Sequence, residues 1–243
     1  MGLIIKNLKV ILKGFDKNKI TDIFFDLDHT LWDFEKNSEL TFKKIFNLLN
    51  IEISLNNFFK IYSPINHKLW KLYRENKISR HQLRFDRLKV TFIKLRIKID
   101  DDMIIKISEM YLKFLSDFTF LHKGALDTLS FLKKKYNLHI ISNGFEDVQK
   151  RKIKNSGLHK YFDNIYTSEA VGYKKPNPNI FKFILNNLNI EPCSGLMIGD
   201  SKEADIKGAL NFGLSAIHFN SQNEPIHNLC LIIKDLKEIK SYL

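Results

Sequence analysis

Short apolar runs and longer segments of helical periodicity alternate through this chain. Ile23-Phe24-Phe25, Leu138-His139-Ile140-Ile141 and Leu196-Met197-Ile198 are brief, mostly apolar and bounded by polar residues, the pattern of strands buried on both faces. Helical segments are expected at about residues 125–135, 146–156, 178–188 and 203–212, interleaved with these runs, which is the pattern of a parallel sheet with ligands at its carboxyl edge. Asn177 before Pro178 makes a good N-cap and first-turn pair and marks where the third of them begins. Residues 33–121 differ: Leu40, Phe42, Ile45, Phe46, Leu48 and Leu49 predict one amphipathic helix, and Leu69, Leu72 and Tyr73 a second. Leu83, Leu88, Phe92, Ile93 and Leu95 predict a third, and Ile104, Ile107, Tyr111, Leu112 and Leu115 a fourth.

The ends of the strand-like runs carry the chemistry. The first delivers Asp26-Leu27-Asp28-His29-Thr30, two carboxylates of equal strand parity able to point into one crevice. Burying two negative charges together is costly unless a proton or cation compensates, and Mg²⁺, a hard ion preferring oxygen ligands, is the natural compensator. The second run ends in Ser142-Asn143-Gly144, and the third in Gly199-Asp200-Ser201-Lys202-Glu203-Ala204-Asp205. Between them lies the lysine pair Lys174-Lys175, pinned by Pro176. Taken alone, an Asp-rich turn after a strand is common; four such signals in one order are far more specific.

Acid pair, hydroxyl, lysine before proline, and acid pair, in that order, resemble the four motifs of the haloacid dehalogenase-like (HAD) superfamily of phosphohydrolases. The resemblance runs from about Asp22 to Asn220. It implies an α/β fold, a Rossmann-like parallel sheet flanked by helices, with the helical insertion as a C1 cap. It also implies that Asp26 is the nucleophile, forming an aspartyl-phosphate, and that Asp28 is the general acid and then the base for water. Thr30 would support the loop, Ser142 bind a phosphate oxygen, Asn143 and Gly144 add loop contacts around the phosphate, and Lys175 neutralise phosphate and nucleophile together. Asp200 would bind Mg²⁺ with the Asp26 carboxylate and the Asp28 backbone carbonyl, with Asp205 a second-shell or water-mediated partner. An Asp at position 28 favours phosphatase or phosphomutase chemistry over dehalogenation, in which the departing halide needs no proton. The strings DLDHTLWDF, SNGFEDVQ and KNSGL resemble the pyrimidine 5′-nucleotidase branch, so a pyrimidine nucleoside 5′-monophosphate is the expected substrate. A sugar-phosphate phosphatase or a phosphomutase is the alternative.

Several residues keep an ordinary reading beside a functional one. His29 is expected to pack over the turn, since a lone histidine has no visible partner. Trp32 and Phe34 are expected to pack rather than to meet a base. Arg80, Arg84 and Arg87 share a helix face through spacings of four and three; Arg84 and Arg87 could meet substrate, although such faces are more often solvated.

Composition narrows the picture. A chain of 243 residues buries roughly 70 to 75% of its unfolded surface, enough for a core with an inserted cap. Domains are expected at residues 20–32 with 122–243 (core) and 33–121 (cap), after a basic, apolar segment 1–19 of unknown role that lacks the marks of a signal or transit peptide. No apolar stretch reaches the roughly 18 residues needed to span a bilayer, so no membrane partner is expected. Cys193 and Cys230 have no metal-site spacing and read as reduced thiols of a cytoplasmic protein. The net charge of +12 raises nucleic-acid binding as a distant, noncatalytic alternative; the basic residues are scattered, so no specific nucleic acid is expected. The expected partner is a small phosphorylated metabolite, with the protein a monomer or homodimer.

Overall fold

The computed structural model describes residues 16–243, so most of segment 1–19 lies outside the described residues. The chain divides into two compact units, one of residues up to Phe34 with Phe120–Leu243, the other Glu35–Thr119.

The first unit is built on a six-stranded, wholly parallel sheet: β1 (Asp22–Phe25), β2 (Asn137–Ser142), β3 (Asn164–Thr167), β4 (Gly195–Gly199), β5 (Ser215–Phe219) and β6 (Leu231–Ile233). Their spatial order is β3-β2-β1-β4-β5-β6. Winding therefore reverses between β1 and β4, and in such sheets the crevice outside the carboxyl ends at the reversal is the usual ligand site. Register determines what meets there: Phe25 pairs with Ile140 on one side and with Ile198 on the other. The next residues along each strand are Asp26, then Ile141 and Ser142, then Gly199 and Asp200, so the strand-end groups emerge side by side. Phe24 and Met197 are fully buried and pack with Ile141, Tyr166, Ile180, Phe181 and Ile184 on one face of the sheet. Each such large side chain contributes roughly 1.5–3 kcal/mol by leaving water.

In the second unit four helices follow the apolar periodicity: α1 (Phe34–Leu48), α2 (Leu55–Arg74), α3 (Arg80–Lys94) and α4 (Asp101–Phe114). Ser79 and Gln82 form a capping box at the start of α3, and Asp100 caps α4 by accepting from the Met103 amide. An aromatic cluster fills the interior. The Phe42 ring lies 4.7 Å from Phe58 and 4.6 Å from Tyr111, centroid to centroid.

Back in the sheet-bearing unit, the helices are α5 (Ala125–Leu132), α6 (Glu146–Asn155), the single turn α7 (Ser168–Val171), α8 (Pro178–Leu188) and α9 (Gly208–Phe212). Asn177 does cap α8, accepting from the Asn179 amide with proline in the first turn. The helix expected over 203–212 is instead a π-helical turn, Lys202–Lys207, followed by the short α9. The Asp205 carboxylate folds back to accept from the Ser201 amide at 3.0 Å, which widens the turn and directs Asp205 toward the strand ends. Gly199 makes room for it, because a Cβ there would lie 2.3 Å from Asp205 Oδ2.

Candidate functional site

Asp26 emerges where β1 ends. Its amide donates to the Ile198 carbonyl at 2.9 Å, extending the β1–β4 pairing by one residue, and its side chain is buried. Lys175 Nζ lies 2.7 Å from Asp26 Oδ1 and 2.7 Å from Asp205 Oδ1, and it also donates to the Ile141 carbonyl. The lysine is 1% exposed. Its position is held from the backbone, since the Lys175 amide donates to Asn143 Oδ1 at 2.8 Å and Asn143 Nδ2 donates back to the Lys175 carbonyl at 2.9 Å. Asn143 thereby couples the β2 loop to the lysine loop. Lys174 is half-buried, and burial lowers its pKa.

Carboxylate oxygens of Asp26, Asp200 and Asp205 lie within 4.8 Å of one another. Burial pushes the Asp26 carboxyl up to about 7; Lys175 opposes this, while Asp205 and Asp28 add to it. Asp200 is raised well above the usual carboxylate range, first by burial and then by Asp26 and Asp205. Burial alone would pull the Lys175 ammonium down, yet the Asp205 and Asp26 carboxylates carry it above its ordinary value. Three acids facing one lysine leave negative charge uncompensated, and the all-oxygen donor set suits a hard divalent cation such as Mg²⁺. Thr30, fully buried, donates to Asp200 Oδ1 at 3.4 Å, so its hydroxyl steadies the acid cluster. His218 supports the same residue from β5. Its Nε2 lies 2.7 Å from the Asp200 carbonyl, which accepts, while Nδ1 faces His227 Nε2 at 2.9 Å.

The Asp28 side chain stands outside that carboxylate group. Its Oδ1 accepts from Lys152 Nζ at 2.6 Å and its Oδ2 from Gln149 Nε2 at 2.8 Å. Gln149 Nε2 also donates to Ser142 Oγ at 2.7 Å, and Ser142 Oγ accepts from the Gly144 amide at 3.1 Å. Gly144 is needed for this arrangement, because a Cβ there would fall 2.4 Å from Gln149 Nε2. Trp32 and Phe34 pack around Lys152, whose Nζ sits 4.1 Å and 5.3 Å from their ring centroids. His29, at φ 66°, packs 4.8 Å from the Phe34 ring, and burial drops its pKa to about 4.

Lys152 and Gln149 had no role in the reading of the sequence. A signal existed: Val148, Gln149, Lys152 and Ile153 form the buried stripe of α6, and a lysine and a glutamine on an apolar stripe need internal partners. Arg84 and Arg87 lie in the helical unit. Arg87 is 2% exposed, stacked 4.8 Å over Tyr111 and donating to Asn66 Oδ1 at 3.2 Å, which rules out a solvated face for it. Arg84 is half-buried and donates to Ser108 Oγ at 3.4 Å.

Known proteins resemble this chain over most of its length. The chain is 30% identical over 202 residues to the pyrimidine 5′-nucleotidase YjjG of Escherichia coli, covering 83% of this chain and 86% of that one. It is 33% identical over 204 residues to a glyceraldehyde 3-phosphate phosphatase of Methanothermobacter thermautotrophicus, covering 82% and 85%. Among solved structures, the magnesium-bound HAD-hydrolase YfnB of Bacillus subtilis superimposes with a TM-score of 0.84 at 28% identity, over 92% of this chain and 98% of that one. The family model for haloacid dehalogenase-like hydrolases matches residues 22–213, and the chain belongs to that family of hydrolases.

Proposed function

We propose that the protein is a Mg²⁺-dependent phosphatase that hydrolyses small phosphate monoesters through an aspartyl-phosphate on Asp26, with pyrimidine nucleoside 5′-monophosphates as its substrates. The carrying observation is the pairing of the buried Asp26 with Lys175 at 2.7 Å beside a second, separately held carboxylate, Asp28. In the first step an Asp26 oxygen attacks phosphorus, the bond to the leaving oxygen breaks, and that oxygen takes a proton from Asp28. In the second, water attacks phosphorus, gives its proton to Asp28, and releases phosphate from Asp26. Lys175 offsets charge on the nucleophile and phosphate, and Ser142 hydrogen-bonds a phosphate oxygen. Asn143 and Gly144 keep the loop around it in place. Asp26, Asp200, Asp205 and the Asp28 carbonyl are the candidate Mg²⁺ donors; the ion would supply charge stabilisation for the phosphoryl oxygens.

Likeness to a nucleotidase at 30% identity supports the nucleotide reading, and likeness to a glyceraldehyde 3-phosphate phosphatase at 33% supports a sugar-phosphate reading as the second. Base recognition is assigned to the half-buried Arg84, whose charge-assisted hydrogen bonds suit pyrimidine carbonyls, while Arg87 is committed to Tyr111 and Asn66 inside the helical unit. The test is a phosphate-release screen with Mg²⁺ across dUMP, dTMP, ribonucleotides and triose and hexose phosphates. The expected result is highest kcat/KM for dUMP or dTMP. Faster turnover of triose phosphates would replace the nucleotide reading, and isomerised rather than hydrolysed products would replace phosphatase by mutase.

A further inference from the structure

Lys152 is a buried cation that none of the four motif signals requires. It is 2% exposed, on the inward stripe of α6, with one flank against the faces of Trp32 and Phe34 and its ammonium 2.6 Å from Asp28 Oδ1. Burying an ammonium is costly unless a charged partner meets it, and the partner here is a carboxylate that performs proton transfer in the proposed mechanism. The second oxygen of the same carboxylate is taken by Gln149, itself 0% exposed. Two donors on opposite oxygens fix both the position and the plane of a carboxylate, where one donor alone would leave it free to rotate. Moreover, the amide nitrogen that holds Asp28 Oδ2 also holds Ser142 Oγ, the hydroxyl assigned to the phosphate. The acid is thereby registered to the phosphate site through a single side chain. Gln149 Oε1 is buried without a hydrogen-bond partner, so this side chain is committed through its nitrogen.

We infer that Lys152 and Gln149 are positioning residues for proton transfer: Lys152, braced by Trp32 and Phe34, and Gln149, laid over Gly144, hold the Asp28 carboxylate in line with the leaving oxygen and then with the attacking water. The inference rests on the acid–base reading of Asp28. A misplacement of about 1 Å in such a group costs on the order of 10²-fold in rate, while substrate affinity, set by other groups, changes little.

The experiment uses the full chain with Mg²⁺ and compares Lys152→Met, Lys152→Arg, Gln149→Met and Asp28→Asn with the unaltered protein. Folding is checked by circular dichroism and thermal melting. Two substrates are used: dUMP, whose leaving oxygen needs a proton, and p-nitrophenyl phosphate, whose leaving group does not. Lys152→Met and Gln149→Met should lower kcat on dUMP by about 10- to 100-fold with KM within about threefold. On p-nitrophenyl phosphate both should show a burst of one nitrophenolate per protein at close to the unaltered rate, then slow turnover, because only the water step still needs a base. Lys152→Arg should recover most of the lost rate. Equal losses in the burst rate and on dUMP, or no loss on either substrate in the folded variants, would overturn the assignment. Should Lys152→Met fail to fold, Gln149→Met decides the matter by the same criteria. Asp28→Asn separates the two levels: if it shows neither burst nor leaving-group dependence, the acid–base reading itself falls. If it shows both while the folded Lys152 and Gln149 variants show neither, only the positioning role falls.

Discussion

Two carboxylates that leave the same strand, two residues apart, occupy opposite electrostatic surroundings. Asp26 sits among acids, with Asp200 and Asp205 within 4.8 Å and Lys175 shared between it and Asp205, so its carboxyl is pushed up to about 7. Asp28 is held by a buried lysine and by an amide that also holds Ser142, and it lies outside the acid group. In the proposed mechanism the nucleophile, which also accepts a cation, shares its one lysine with another acid, whereas the group that points a proton along one line is held on both oxygens. One motif, Asp-Leu-Asp, is thus divided by tertiary structure into an acid-crowded position and a geometrically clamped one.

The widest gap between the two positions should appear on neutralising each in turn. Asp26→Asn should remove turnover by on the order of 10⁴-fold or more on every substrate, since an amide neither attacks phosphorus nor supplies an anionic ligand. Steady phosphate release by a folded Asp26→Asn protein would erase the distinction. Asp28→Asn should cost less, about 10²-fold on dUMP and visibly less in the burst on p-nitrophenyl phosphate. A loss identical on both substrates would mean that Asp28 is not the proton donor.

A metal-linked titration sharpens the contrast on the Asp26 side. The folded chain raises the Asp26 carboxyl from 3.8 to about 7, so the stability tied to its proton is complete below about 3.8 and is lost as pH rises through about 7. Asp200 acts in the same direction. Metal-free protein should therefore melt at a lower temperature at pH 8 than at pH 5.5 through this contribution. Adding Mg²⁺ should raise Tm more at pH 8, where the acids are ionised and the ion need not displace protons. Calorimetry showing the same Mg²⁺ shift at both pH values would break the link between the acid cluster and the ion.

The smallest expected effects come from the helical unit, whose buried cation Arg87 rests on an aromatic face and an amide oxygen. Arg84→Ala should weaken kcat/KM for dUMP by about 1.5–2 kcal/mol and for p-nitrophenyl phosphate by much less, whereas Arg87→Ala should change both substrates alike. Arg87→Ala should also lower Tm, because a large side chain leaves the interior. Equal changes on both substrates in Arg84→Ala would remove that arginine from base recognition, and a loss confined to dUMP in Arg87→Ala would contradict its packing role.

Much of this was legible in one dimension. Runs such as Leu196-Met197-Ile198 announce a strand buried on both faces, and Asn177-Pro178 marks the start of α8 because capping is a local interaction of neighbouring residues. The turn after β4 was not legible. Its Glu203-to-Phe212 segment has helical composition, but the reach of Asp205 back to the Ser201 amide and its nearness to Gly199 opened a π-turn that composition does not encode. Trp32 and Phe34 pack, as aromatics beside a loop are expected to, but the ammonium they pack against comes from a helix more than a hundred residues away.

The order of the strand-end acids, hydroxyl and lysine was set by the sequence itself, and the family with it, since strand parity and strand ends depend on neighbouring residues; the 2.7 Å contact between Asp26 and Lys175, 149 residues apart, is tertiary. Only tertiary structure decided that Asp205 joins Asp26 and Asp200, and that Asp28 belongs to Lys152 and Gln149 across separations of 124 and 121 residues. Those contacts depend on sheet register and on the rotation of α6 about its axis, and both are settled by collective packing of the core rather than by any local run of residues.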